Sequence, residues 1–249
     1  MAKLVFRKNR LGRRPFRCKF AESPYITGKP WNPPVVRREE GHVKFQITEA
    51  DKAALCRRAP EFAGPVREIE LEGFEYGGNL FEALAQNIVS QQLSGRVAEV
   101  IWGRVRTLLG NVEPERVAGA GFEELRGCGP SGRKIEYLRN LAGTVLSGEI
   151  ALESLAGLED AAVVAELVKL RGVGVWTAEM MLIFALGRRD VLSFHDLGIR
   201  RGIMLLNRLD RLSAAEFEFY RKRYSPYGTL ASLYLWRIKD GGIPGGGGK

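Results

Sequence analysis

Leu170-Arg171-Gly172-Val173-Gly174-Val175-Trp176-Thr177-Ala178 stands between two stretches of helical spacing. Two glycines around one small apolar residue permit a tight turn. They also leave backbone amides exposed at the start of the next helix, where a phosphate can approach. Because the segment joins helix to helix, it is neither a dinucleotide fingerprint nor a Walker loop, both of which follow a strand. Up to this point an ordinary helix-turn-helix connection would read the same. About one helix length further on, Asp190-Val191-Leu192-Ser193-Phe194-His195-Asp196-Leu197-Gly198-Ile199-Arg200-Arg201 places an acid, Asp196, at the start of another helix.

On either side of the hairpin and beyond it, the apolar spacing predicts helices over 161–169 and 175–186, then 197–206, 214–224 and 227–238. Upstream, Ser131 is a good N-cap for a helix carrying Ile135, Leu138, Leu141, Ala142 and Val145. Helices are also expected over 80–89 and 96–109, with a short turn over 155–158. Thr48-Glu49-Ala50-Asp51 resembles a capping box that opens a helical region, which Gly73, Gly77 and Gly78 interrupt. Strands do not alternate with helices, so the body is expected to be all-α. Three segments follow: a basic extension over 1–47, a helical domain over 48–240 and a Gly-rich tail over 241–249. A short strand is possible over 3–7.

The chain has 249 residues, 45% of them hydrophobic, enough to bury a sizeable core. No apolar run is long enough to span a bilayer, and no apolar segment follows the basic N-terminus, so an intracellular protein is expected. Of the formal net charge of +9, Lys3, Arg7, Lys8, Arg10, Arg13, Arg14, Arg17 and Lys19 supply eight. The high pI therefore reports an N-terminal arm, either a solvated tail or a segment lying along a phosphate backbone. Cys18, Cys56 and Cys128 are odd in number and far apart, which argues against a disulfide framework. With only His42 and His195 to help, they give no zinc spacing, and four closely spaced cysteines for an iron-sulfur cluster are lacking.

The hairpin followed by an acid resembles the helix-hairpin-helix (HhH-GPD) DNA glycosylases, and within them the AlkA-type 3-methyladenine glycosylases. The likeness runs from about Thr48 to Trp236, through Gln86-Asn87-Ile88-Val89-Ser90-Gln91-Gln92-Leu93-Ser94, Ser131-Gly132-Arg133-Lys134-Ile135, the hairpin and Ser225-Pro226-Tyr227. The loop before Asp196 carries Gly187 but no proline, a departure from the family pattern. The resemblance implies a two-lobed helical fold and hydrolysis of the bond between a damaged base, such as an alkylated purine, and its deoxyribose in double-stranded DNA. AlkA-type enzymes can carry a full β-rich N-terminal domain; with too few residues before Thr48, a reduced sheet or a bare arm is expected instead.

What the resemblance implies for single residues is specific. Asp196 stands at the catalytic acid's position, where an ionised carboxylate in a water-poor pocket stabilises an oxocarbenium-like sugar; capping the next helix is its bland alternative. Relatives of the endonuclease III and 8-oxoguanine types carry a lysine two residues after the second hairpin glycine. Trp176 occupies that place, which implies no Schiff base and no lyase step. Trp176 and Tyr227 are candidate pocket aromatics, for which core packing is the alternative. The loop Gln91-Gln92-Leu93-Ser94 occupies the wedge position that fills the hole left by a flipped base, with Gln92 and Leu93 the first choices to enter it; the alternative is that Leu93 faces the core and Gln92 only caps a helix. Ser131, Lys134, Arg171, Gly172, Gly174 and Thr177 are the other candidate DNA contacts. No cofactor is required, although the family hairpin commonly binds a monovalent cation such as K+ or Na+, which implies the carbonyls of Leu170, Gly172 and Val173. A monomer is expected. Two other readings stay open: a glycosylase for another damaged base, and a DNA-binding protein without catalysis.

Overall fold

Thr48 starts the helical body in the way its sequence dictates. Its hydroxyl accepts from the Asp51 amide at 3.1 Å while Asp51 accepts from the Thr48 amide at 3.2 Å, the reciprocal cap of helix α1 (Glu49–Arg58). The computed structural model describes residues 42–241; the basic arm, the possible strand over 3–7 and the Gly-rich end beyond Gly241 lie outside them. Ahead of α1, strand β1 (His42–Phe45) pairs antiparallel with β2 (Phe74–Gly77), with Phe45 opposite Phe74.

Between the strands α1 leads through a short 3-10 turn into α2 (Ala63–Glu68). Then follow α3 (Leu80–Ser90), α4 (Gly95–Leu109), α5 (Pro114–Gly119), α6 (Phe122–Gly127) and α7 (Gly132–Leu146). After a 3-10 segment come α8 (Asp160–Leu167), α9 (Val175–Phe184), α10 (Leu197–Leu206), α11 (Ala214–Tyr224) and α12 (Gly228–Lys239). The all-α expectation is met.

Two departures from the sequence reading have physical causes. The glycines of 73–78 do not merely break a helix but belong to β2 and its flanks, where Phe74 stacks on Phe45 at 4.6 Å between ring centroids. A four-residue strand with one buried side chain has no period to read. The helices α5 and α6, six residues each, are likewise too short to show one.

Two hydrophobic cores divide the body. The first joins α3 to α9, with Leu84, Ile88, Val105, Ile135, Leu138, Leu167 and Ile183 at its centre. The second is built by α1, α2 and α10 to α12 around Leu55, Phe62, Ile199, Ile203, Tyr224 and Tyr234. Each such side chain, once buried, stabilises by roughly 1.5–3 kcal/mol. Within the second core α10 crosses α12 so closely that a Cβ on Gly202 would lie 2.4 Å from the Leu235 carbonyl oxygen. Trp236 packs against both cores and marks the seam between them.

Candidate active site at the seam of two cores

The segment leading to Asp196 is stitched along α12. Thr229, wholly buried, donates its hydroxyl to the Arg188 carbonyl at 2.6 Å and accepts from the Val191 amide at 3.2 Å, while Ser232 donates to the Val191 carbonyl at 2.9 Å. Asp190 anchors the same segment to the start of α12, accepting from the Gly228 amide at 3.0 Å and the Ser225 hydroxyl at 2.5 Å. A buried connection must pair its backbone groups, and these hydroxyls supply the partners. The strap thereby delivers Asp196 to the N-terminus of α10.

Asp196 is 5% exposed and caps α10, its Oδ1 accepting from the Ile199 amide at 2.7 Å. Trp236 on α12 donates its indole N–H to the same oxygen at 3.0 Å, and Trp176 on α9 donates to Oδ2 at 2.9 Å. Capping and the chemical role are therefore compatible, because an ionised carboxylate has about four lone-pair sites and three are taken. The three N–H donors, reaching it from α9, α10 and α12, fix the plane of the carboxylate.

Glu179, one turn after Trp176 on α9, accepts from the Ser193 hydroxyl at 2.5 Å. Burial pushes its carboxyl above the ordinary glutamate value, and the charge of Asp196 pushes the same way. His195 is exposed and sets its ring edge-to-face against Phe194 at 5.9 Å.

The other expected residues fall into three groups. At the hairpin, Arg171 is exposed, Gly172 takes φ +85° and Gly174 caps α9 without a side-chain bond to the first-turn amides, which a helix cannot pair internally. Thr177 is only 4% exposed, so its side chain packs inward. Leu170 and Val173 are buried; the Leu170 carbonyl already accepts from the Val173 amide at 3.1 Å, and the Gly172 carbonyl from Gln91 Nε2 at 2.7 Å. At the end of α3, Gln92 is exposed at φ +57°, Leu93 is half-buried, and Ser94 holds the N-cap position of α4 without a side-chain capping bond. On α7, the Ser131 hydroxyl accepts from the Lys134 amide at 3.4 Å, while the Lys134 ammonium donates to the Val89 and Gln91 carbonyls, both at 2.7 Å.

Tyr227 stands at the opening of α12, nine residues and so about 13 Å along the axis from Trp236. There it lines a cleft of about 510 Å³ with Glu159, Asp160, Arg188, Arg189 and Pro226. Trp236 holds the α12 position beside the acid, and no local pattern announced it. Glu179 and Ser193 were also missed, since one reads as an exposed helical acid and the other as a loop residue.

Among the described residues no group of three or more His, Cys, Asp or Glu side chains is placed to hold a metal ion, and no helix is long and apolar enough to cross a membrane. Cys56 and Cys128 are free thiols.

A double core, a glycine hairpin and a buried acid at the seam define the HhH-GPD superfamily of base excision DNA repair proteins, whose pattern matches residues 85–226, and the chain belongs to it. It is 35% identical over 162 residues to DNA-3-methyladenine glycosylase 1 of Schizosaccharomyces pombe, a match covering 63% of this chain and 71% of that protein. The crystal structure of DNA-3-methyladenine glycosidase from Bacillus halodurans superposes with a TM-score of 0.67 at 34% identity, covering 80% of this chain and 92% of that one. A Schizosaccharomyces pombe 3-methyladenine DNA glycosylase in complex with abasic DNA gives 0.64 at 30% identity, covering 76% and 95%.

Proposed function

We propose that the protein is a monofunctional DNA glycosylase that flips alkylated purines, 3-methyladenine among them, out of double-stranded DNA and hydrolyses their N-glycosidic bond. The observation that carries this reading is Asp196, a carboxylate held by three N–H donors at the seam of the two cores, with a phosphate-gripping hairpin at the start of the helix that bears Trp176. Relatives named as 3-methyladenine glycosylases, and one solved on abasic DNA, support the reaction class.

As the bond between the base and C1′ breaks, the electron pair leaves with the base and positive charge develops on the sugar. Asp196 stabilises that charge at close range in a site of low polarity. Water adds to C1′ and loses one proton to solvent. A cationic alkylated purine departs as a neutral base, so no proton need be supplied to it. Stacking such a base on an indole ring is worth roughly 0.5–2 kcal/mol. Since Trp176 stands where a nucleophilic lysine would, the product is an intact strand carrying an abasic site. Arg171 and the amides following Gly174 bind the phosphate backbone, Gln92 fills the gap left by the base, and a monovalent cation at the hairpin would draw on the Leu170, Gly172 and Val173 carbonyls.

The test is release of free base from methylated duplex DNA by the wild type and by Asp196→Asn. Loss of release with binding retained supports the reading; equal release by the variant overturns it. A covalent complex trapped by borohydride would overturn the monofunctional assignment.

A further inference from the structure

The turn that ends α3 is held from behind by side chains that are not part of the site around Asp196. Leu93 N–H donates to the Ser90 carbonyl at 3.2 Å, with Gln91 at φ −50°, ψ 133° and Gln92 at φ +57°. These dihedrals describe a type II turn, whose third position ordinarily takes glycine. A glutamine there is strained and persists only where the surroundings over-determine the conformation.

The surroundings are a single stripe of α7. Lys134 donates to the carbonyls of Val89 and Gln91, both at 2.7 Å, and as a cation it suits the C-terminal end of α3. Three residues on, the Tyr137 ring lies against Gly172, where an added Cβ would meet it at 2.3 Å. Three further, Asn140 accepts from the Arg171 amide at 3.1 Å. Gln91 closes the circuit by donating its side-chain amide to the Gly172 carbonyl at 2.7 Å. The wedge turn and the phosphate hairpin thus share one support and touch each other directly. Burial draws the Lys134 ammonium below the usual lysine range, consistent with a group turned inward.

We propose that Lys134 and Gln91 form a strut that makes the posture of Gln92 depend on the hairpin, so that seating the hairpin on the DNA backbone sets the wedge for insertion. Both are positioning residues, and Lys134 acts through the turn instead of neutralising a phosphate. The inference rests on the base-flipping reading given above.

The experiment uses the full chain with Lys134→Met, Lys134→Arg and Gln91→Glu. Four quantities are measured: thermal stability, affinity for undamaged duplex over a salt series, fluorescence of 2-aminopurine beside a methylated base, and single-turnover base release. Expected for Lys134→Met and Gln91→Glu is an unchanged salt slope, with release slowed roughly tenfold, the scale of the hydrogen bonds lost, and the fluorescence change lost in parallel. Lys134→Arg, which keeps donors at the site, recovers part of the rate. A salt slope reduced by about 0.9 in Lys134→Met would make that lysine a phosphate contact and overturn the strut. So would unchanged release and fluorescence in Gln91→Glu, which is isosteric and decides the matter even if Lys134→Met fails to fold. Wild-type protein giving neither signal would overturn the glycosylase reading, and the strut with it.

Discussion

Trp236 donates its indole N–H to Asp196 Oδ1 at 3.0 Å, joining residues forty apart in sequence, and the same ring stacks on Phe184 at 5.9 Å. Trp176 grips the other carboxylate oxygen from the opposite core, so the acid is oriented from both sides of the seam. Trp236→Phe keeps an aromatic ring for the stack and removes the donor. The lost bond to a charged acceptor corresponds to about 1.5–3 kcal/mol. We expect single-turnover base release to slow by roughly tenfold or more while affinity for undamaged DNA holds. An unchanged rate would show that Trp236 only packs.

The helical body was legible because its long helices bury one face and begin at readable caps. Spacing over 197–206 and 214–224 gives α10 and α11 to the residue, and Ser131 caps α7 as its sequence suggests. The hairpin and Asp196 were legible for a different reason: their chemistry lies in short contiguous motifs. Trp236 was not, because its role depends on α10 crossing α12 at Gly202, a tertiary fact with no local trace. Lys134 reads in the sequence as a candidate DNA contact; only the fold shows its ammonium facing two carbonyls.

Gly172→Ala should disable the hairpin from within. The position has φ +85°, and an added Cβ would meet the Tyr137 ring at 2.3 Å. Left-handed backbone alone costs a non-glycine residue about 1–2 kcal/mol, and the clash adds to it. The expected outcome is a lowered melting temperature together with weaker binding to undamaged and damaged duplex alike, measured by titration at fixed salt. Full DNA affinity in the variant would remove the hairpin from the binding surface.

Gln92→Gly separates strain from function at the wedge. Glycine accepts φ +57° without penalty, though it gains freedom in the unfolded chain, so the net change in stability should lie within about 1 kcal/mol. Gln92→Ala keeps the strain and also lacks the amide. Both variants should release base at least roughly tenfold more slowly, since unpairing a base costs a few kcal/mol that the inserted side chain offsets. If Gln92→Gly retains the full rate, the inserting residue is Leu93.

Glu179 gives the site a pH signature that stability measurements can read. Its carboxyl is raised above the ordinary value of 4.5, first by burial and then by the charge of Asp196, against the Ser193 hydroxyl bond and His195, which lower it. A raised carboxyl keeps its proton in the folded protein after the unfolded chain has released one. Between 4.5 and the folded value the native state therefore binds more protons, and stability falls as pH rises through that window, then levels above it. Glu179→Gln has no proton to lose. The variant's melting temperature, compared with wild type over a pH series, should gain on it as pH climbs from 4.5 and hold a constant lead once the wild-type carboxyl has ionised. A difference independent of pH would show that Glu179 titrates in the folded protein as it does in the unfolded chain.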